Sequence, residues 1–168
     1  MRREGFSTSG REEYILMDWN VCFERGVIAL ENRKDLATIL NQAQVFYLAT
    51  ADEDGTPHVR PFGAVARYEG HTWFCTGKGK AVYEQMMKNT KVELAAMVPG
   101  GEAPCWVRAK GMVLYEENEG AKEAMFASRP KLRDMYADRM DKFVMFRLVE
   151  AVANLYDING NVVEELEV

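Results

Sequence analysis

Three runs of β-forming residues, divided by tight turns, constrain this chain more than any other feature. Val45 to Ala51, Thr56 to Tyr68 and His71 to Thr76 are rich in branched, aromatic and threonine side chains. Asp52-Glu53-Asp54-Gly55 divides the first two, with Gly55 free to take a positive φ, and Glu69-Gly70 divides the last two. Connections this short join antiparallel neighbours, whereas a parallel pair needs a crossover of roughly a dozen residues or more. The segment therefore predicts a three-stranded antiparallel meander.

The rest of the chain extends that pattern. Lys91 to Val98 reads as a strand broken by Pro99-Gly100-Gly101; Cys105 to Glu116 and Lys142 to Tyr156 read as two more. Asp157 to Asn161 turns into a short acidic tail. A helix is expected near Asn32 to Gln42, with Asn32 as N-cap and Leu36, Ile39, Leu40 and Ala43 in one apolar stripe. A short helix follows Gly77-Lys78-Gly79-Lys80, with Val82, Tyr83, Met86 and Met87 on one face. Further helical segments are expected from Asn118 to Ala127 and from Pro130 to Ala137. Short strands with helices inserted between them predict a mainly β, α+β fold: a small antiparallel barrel with flanking helices. A length of 168 residues fits one domain, 31–168. Residues 1–30 show no clean periodicity and are expected to form an arm, either flexible or packed on a partner subunit.

Charge narrows the function. The net charge of −5 opposes nucleic-acid binding, which needs a basic surface. It is unevenly spread: Arg60, Arg67, Lys78, Lys80, Lys88 and Lys91 face only Glu69 and Glu84 between His58 and Lys91. That island suits a small anion better than a polymer, although charge alone favours a solvated lysine-rich face. No apolar run approaches the ~20 residues of a membrane span. Met1-Arg2-Arg3-Glu4 leads into polar residues, unlike a secretory signal. Cys22, Cys75 and Cys105 are odd in number and widely spaced, so a disulfide framework is not expected and a cytoplasmic location is.

Three stretches could carry chemistry. Cys75-Thr76-Gly77-Lys78-Gly79-Lys80 stands where a strand gives way to a helix. Its glycines let backbone N–H groups approach an anion, and the helix start and lysines add positive charge. It lacks the Walker spacing and reads evenly as phosphate cradle or solvated loop. Arg60-Pro61-Phe62-Gly63 combines a fixed cation with a proline that breaks a ladder and a glycine that permits close approach. It describes a flat strip for a planar anionic ligand, or an edge strand guarded against aggregation. Trp106, beside Arg108, either stacks on a ring system or packs. His58 and His71 make no metal-ligand spacing with the cysteines, so no metal is expected.

Taken in order, these stretches resemble the pyridoxamine 5'-phosphate oxidase-like split-barrel family. The resemblance rests on Phe46-Tyr47-Leu48-Ala49-Thr50, on Asp54-Gly55-Thr56-Pro57-His58-Val59-Arg60-Pro61, on Trp73 through Lys80, and on Asn89-Thr90-Lys91-Val92, with Thr90 in place of the usual proline. It implies a six-stranded antiparallel Greek-key split β-barrel, a homodimer, and FMN at the dimer interface. It implies that Arg60 and Lys80 contact the FMN phosphate, with Cys75 and Thr76 as strand-end companions. Pro61, Phe62 and Gly63 would run along the isoalloxazine ring, and Trp106 holds a ring-contacting position. Val65 stands where the true oxidases carry a substrate lysine. Asp157-Ile158-Asn159-Gly160-Asn161 stands near their Arg-x-His-Asp-Arg-like end. The phosphate loop reads Gly-Lys-Gly-Lys, without the His-Lys pair usual in the nitroimidazole-reductase-like branch.

The function expected from this is an FMN-dependent oxidoreductase acting on a small molecule other than pyridoxamine 5'-phosphate. No side chain stands out as its acid or base. The alternatives are a non-catalytic flavin carrier or sensor, and a relative that binds haem or a deazaflavin.

Overall fold

The computed structural model describes residues 35–98 and 104–168. The 1–30 arm, Asn32 and the Pro99-Gly100-Gly101 break lie outside the described residues.

The meander forms where the turns place it. β1 (Phe46–Ala51) pairs antiparallel with β2 (Pro57–Phe62), and β3 (Val65–Tyr68) pairs antiparallel with β4 (His71–Gly77). In the first turn Gly55 takes φ 87°, and its N–H donates to the Asp52 carbonyl at 2.9 Å. One expectation is corrected. The run from Thr56 to Tyr68 is two strands, because pairing stops at Phe62 and resumes at Val65 with a different partner.

That break closes the barrel. With β5 (Lys91–Val98), β6 (Cys105–Tyr115) and β7 (Phe143–Tyr156), the hydrogen-bonded order is β2-β1-β5-β6-β7-β4-β3. Its two ends, β2 and β3, are halves of one bent strand joined through Gly63-Ala64, so the sheet returns on itself. Counting those halves as one gives the six antiparallel strands of a split β-barrel. The sheet contains eight strands by hydrogen bonding, because the split adds one and the expected acidic tail is itself β8 (Val162–Leu166), paired with β7. The barrel interior is filled by side chains such as Phe46, Leu48, Phe74, Leu94, Val107, Phe146 and Leu155, each at most 1% exposed.

β7 serves both halves of the barrel by bending. Its first residues pair with β4 and its last with β8, while β6 accompanies both parts. The bend is a bulge, where the register shifts between Lys110 and Met112 and Glu150 takes φ 47°. Gly111 is required there, since a Cβ would lie 2.6 Å from that of Ala151.

Helices seal the barrel ends. α1 (Leu36–Ala43) starts later than the sequence suggests, and Asp35 is its cap, accepting from the Thr38 N–H at 2.9 Å. α2 (Ala81–Lys88) carries the chain from β4 to β5, which are not neighbours. It buries Val82 and Met86 but leaves Met87 exposed, so its apolar face is narrower than expected. α3 (Glu119–Ser128), capped by Asn118, buries Ala121, Met125 and Phe126 against Trp73 and Phe143. α4 (Lys131–Met135) follows at once and ends against Tyr136. No helix among the described residues is long and apolar enough to cross a membrane.

Candidate functional site

The end of β4 is a tight corner. The Lys78 N–H donates to the Lys142 carbonyl at 2.8 Å, Gly79 takes φ 86°, and the Lys80 N–H donates to the Gly77 carbonyl at 3.2 Å. Lys80 then occupies the N-cap position of α2 without using its side chain as a cap. A Cβ on Gly77 would sit 3.3 Å from the Tyr136 hydroxyl and 3.6 Å from Lys80 Cε. The bare glycine thus lets both side chains close on the strand end.

Beyond that corner lies a cavity of about 570 Å³ between β2, the end of β4 and the α3–α4 joint. Seven of the eight residues singled out in the sequence line it: Arg60, Pro61, Phe62, Gly63, Cys75, Thr76 and Lys80. Residues some twenty apart meet because β2 and β4 flank the bent strand's corner. Among the described residues β2 pairs only with β1, so its other edge presents backbone groups that no described strand pairs. The Phe62 ring turns inward onto Phe46 and Phe74, at 5.7 and 5.8 Å between centroids, which presents its backbone rather than its ring.

Arg60 is held by neutral acceptors. Its Nη1 donates to the Leu48 carbonyl at 3.1 Å and to Thr50 Oγ1 at 2.7 Å, and its Nη2 donates to Gln85 Oε1 at 2.7 Å. Burial pulls its pKa below the usual value, and Asp52 offsets this in part. Burial also pushes the Cys75 thiol up to about 12, against the opposing charge of Lys80. The Tyr136 hydroxyl is raised by burial first and by Cys75 second. Both groups therefore carry their protons at neutral pH.

The opposite wall was missed by sequence reasoning. Ser128, Arg129, Pro130, Lys131, Leu132, Met135 and Tyr136 line the cavity from α3 and α4. Arg129 Nε donates to the Gly63 carbonyl at 2.8 Å, and Ser128 Oγ donates to the Val65 carbonyl at 2.9 Å. These side chains satisfy carbonyls at the point where the bent strand changes partners. The available signal was Arg129-Pro130-Lys131, two cations around a helix-joint proline, which lies outside the basic island between His58 and Lys91. With Arg60 and Lys80 they bring four cations to the cavity, and no carboxylate lines it among the described residues. Such a site suits an anion with an apolar body.

Trp106, the eighth residue, does not line this cavity. It lies on the outer barrel wall, stacked on Tyr156 at 4.4 Å and 16°, with Arg108 over both rings. Register places Pro61, Tyr47, Ala95, Arg108 and Asn154 in one row across that wall. Val59 is 68% exposed there and Met97 60% exposed. Asn154 Oδ1 is buried in the same wall without a hydrogen-bond partner among the described residues. Pro61 belongs to both surfaces, so the cavity and the wall adjoin there. His58 lies apart from the cavity lining, with Nε2 2.8 Å from Asp52 Oδ2. No group of three or more metal-ligating side chains occurs among the described residues.

A family model described as pyridoxamine 5'-phosphate oxidase matches residues 33–154. Among solved structures, the chain is similar to a NimC/NimA family protein from Clostridium acetobutylicum, at 31% identity and TM-score 0.67 over 75% of this chain and 88% of that one. It shares its fold with a heme binding protein from Mycobacterium smegmatis, at 17% identity and TM-score 0.64 over 78% of this chain and 55% of that one. It also shares it with the heme storage protein HutZ from Vibrio cholerae, at 15% identity and TM-score 0.55 over 66% and 84%. No curated protein matches the chain.

Proposed function

We propose, from the premise that this chain belongs to the pyridoxamine 5'-phosphate oxidase family, that it binds FMN in the cation-lined cavity and works as an FMN-dependent oxidoreductase on a small molecule. The observation that carries this reading is the cavity itself: four cations and, among the described residues, no lining carboxylate and a wall formed by the unpaired edge of β2. Its volume, about 570 Å³, falls within the roughly 300–1,000 Å³ usual for cofactor pockets. Arg60 and Lys80 hold the phosphate. Pro61, Phe62 and Gly63 offer backbone groups to the ring, and Cys75 and Thr76 close the strand end. When bound, the flavin supplies the electron and hydride chemistry, while the protein orients it. Tyr136 and Cys75, both protonated at neutral pH, keep that end of the cavity free of further negative charge.

Pyridoxamine 5'-phosphate is not the substrate favoured. Val65, standing where those oxidases have a lysine, is 1% exposed in the core and offers no charge. Haem is the poorer fit as well: neither His58 nor His71 lines the cavity, and a thiol held up to about 12 is a weak source of thiolate.

The chain works as a homodimer. Its exposed outer wall carries Val59, Tyr47, Met97 and Val152 around the unpartnered Asn154 Oδ1. A second copy on that wall buries apolar surface, can satisfy the orphan acceptor and adjoins the cavity at Pro61.

The test is an absorption spectrum of the purified protein, followed by titration with FMN. A flavin spectrum, or quenching of added FMN with a rise in melting temperature, is expected. A Soret band, or no response to FMN, overturns the reading. Turnover of a reduced nicotinamide with an electron acceptor separates an enzyme from a carrier.

A further inference from the structure

Arg60 is one corner of a closed hydrogen-bonded triangle. Gln85 Oε1, from α2, accepts from Arg60 Nη2 at 2.7 Å and from Thr50 Oγ1 at 2.8 Å. Thr50 Oγ1 in turn accepts from Arg60 Nη1 at 2.7 Å, and the Leu48 carbonyl takes the other Nη1 hydrogen at 3.1 Å. Thr50 is 3% exposed, so its hydroxyl has no water to fall back on. Three elements meet here: β1 supplies Thr50 and Leu48, β2 supplies Arg60 and α2 supplies Gln85.

The chemistry of the acceptors matters more than their number. All three are neutral, so three N–H groups are used without an ion pair, and the one carboxylate that acts on the guanidinium, Asp52, offsets its burial only in part and without a hydrogen bond to it. A guanidinium has five N–H donors, which leaves Nε–H and one Nη2–H uncommitted. A purely structural arginine at such a point is ordinarily matched by a carboxylate, because a half-buried charge left uncompensated is costly. Here the position facing Arg60 is filled by an amide instead.

We infer that Gln85, with Thr50 behind it, is the positioning residue that aims Arg60 at the cavity and keeps its charge available, and so determines selection of a phosphorylated flavin over its phosphate-free form. This rests on the FMN reading above and adds two residues that do not line the cavity. Gln85 acts through Arg60 and needs no contact with the ligand. A glutamate at 85 would accept the same two hydrogen bonds in nearly the same shape while neutralising Arg60. An alanine would remove the aim and leave the charge.

The experiment measures FMN and riboflavin affinity by fluorescence quenching for wild type, Gln85→Glu, Gln85→Ala and Thr50→Val, with melting curves to verify folding. Gln85→Glu should weaken FMN by about tenfold or more while changing riboflavin less than about twofold, since a charge-assisted contact is lost from the phosphate alone. Gln85→Ala should weaken FMN by roughly three- to tenfold, and Thr50→Val by less, from lost preorganisation. A merely structural role predicts that Gln85→Glu, which keeps both hydrogen bonds, leaves the FMN to riboflavin ratio at its wild-type value; that result overturns the inference and leaves the FMN site standing. A wild type that binds neither flavin, or both equally, overturns the FMN reading itself and the inference with it. Should Gln85→Ala fail to fold, Gln85→Glu alone decides.

Discussion

Lys78 and Lys80 stand two residues apart on one loop, yet they line two pockets of opposite character. Lys80 lines the 570 Å³ cavity beside Arg60, Arg129 and Lys131, with no carboxylate in its lining among the described residues. Lys78 lines a pocket of about 290 Å³ with Lys122 and with Glu116, Glu117, Glu119 and Asp141. In the smaller pocket four carboxylates face two lysines, and three of the four are engaged. Lys122 pairs with Glu119 at 3.3 Å, Glu116 pairs with Arg147 at 3.2 Å, and Glu117 accepts from the Tyr115 hydroxyl at 2.7 Å. In the larger one, Arg60 and Arg129 donate only to neutral oxygens. A count of charge along the chain treats both lysines alike. What marks an anion site is the cation whose opposite charge is missing.

The strongest way to break this comparison is to remove the unopposed cations. Arg60→Ala and Lys80→Ala should each weaken FMN by about tenfold or more, from loss of a contact worth roughly 1.5–3 kcal/mol. Riboflavin affinity should be nearly unchanged by Lys80→Ala. Equal losses for both ligands would take Lys80 out of the phosphate site. Next in size is the outer wall. Met97→Lys puts a charge amid exposed apolar side chains beside Trp106 and should weaken dimerisation by roughly 2 kcal/mol, read by sedimentation equilibrium. The monomer it yields should also hold FMN less well, because binding and association are linked. A monomer that keeps full FMN affinity would separate the cavity from the wall.

The burial of Cys75 gives a smaller effect with a definite sign. Its thiol is pushed from 9.0 up to about 12 by burial at the cavity's inner end. Between those values the folded protein holds a proton that the unfolded chain has released. The contribution to stability is therefore full below pH 9 and is lost as pH rises toward 12. Denaturant unfolding of apo protein at pH 8 to 10.5 should show stability falling with pH, and Cys75→Ala should flatten part of that slope. An unchanged slope would mean that water reaches the thiol and that the strand end is wetter than its geometry implies.

The fold was legible wherever the physics was local. Two short turns dictated the meander, and Pro61 with Gly63 marked a disturbed strand. Their spacing did not say that the strand changes partners there, because the change is set by where β1 begins: Phe46, its first residue, pairs with Phe62, and beyond it the chain pairs with β4 instead. The candidate site was half legible for the same reason. The wall made of β2 and the end of β4 lies within one stretch of some twenty residues and could be read as a unit. The wall made of Ser128 to Tyr136 lies fifty residues away and joins only through tertiary packing, by Trp73 and Phe143 against Met125 and Phe126. Gln85 was invisible on any one-dimensional view: it looks like a solvated helix residue until Arg60 and Thr50 are placed against it. Thr50 stood in the sequence only as the end of a family motif, and its hydroxyl proves to be one of three buried polar side chains among the described residues.

The smallest effect tests the comparison most directly. Lys78→Ala removes a cation from the same loop, one glycine away from Lys80, and it lowers the net charge by the same unit. If the cavity draws an anion by the bulk positive potential of the loop, the two alanine variants should weaken FMN to similar degrees and respond alike to salt. If contact within the cavity decides, Lys78→Ala, which lines the other pocket, should change FMN affinity less than about twofold and stability by less than about 0.5 kcal/mol, as for surface substitutions generally. Screening sharpens the contrast. At physiological salt the Debye length is about 8 Å, so a lysine facing the acidic pocket contributes little across the loop, whereas one touching the ligand is screened far less. Measuring both variants at low and high salt therefore gives a difference that should persist for Lys80→Ala and vanish for Lys78→Ala. Parallel losses at every ionic strength would show that the loop acts as a diffuse positive patch, and that the separate roles drawn for its two lysines are wrong.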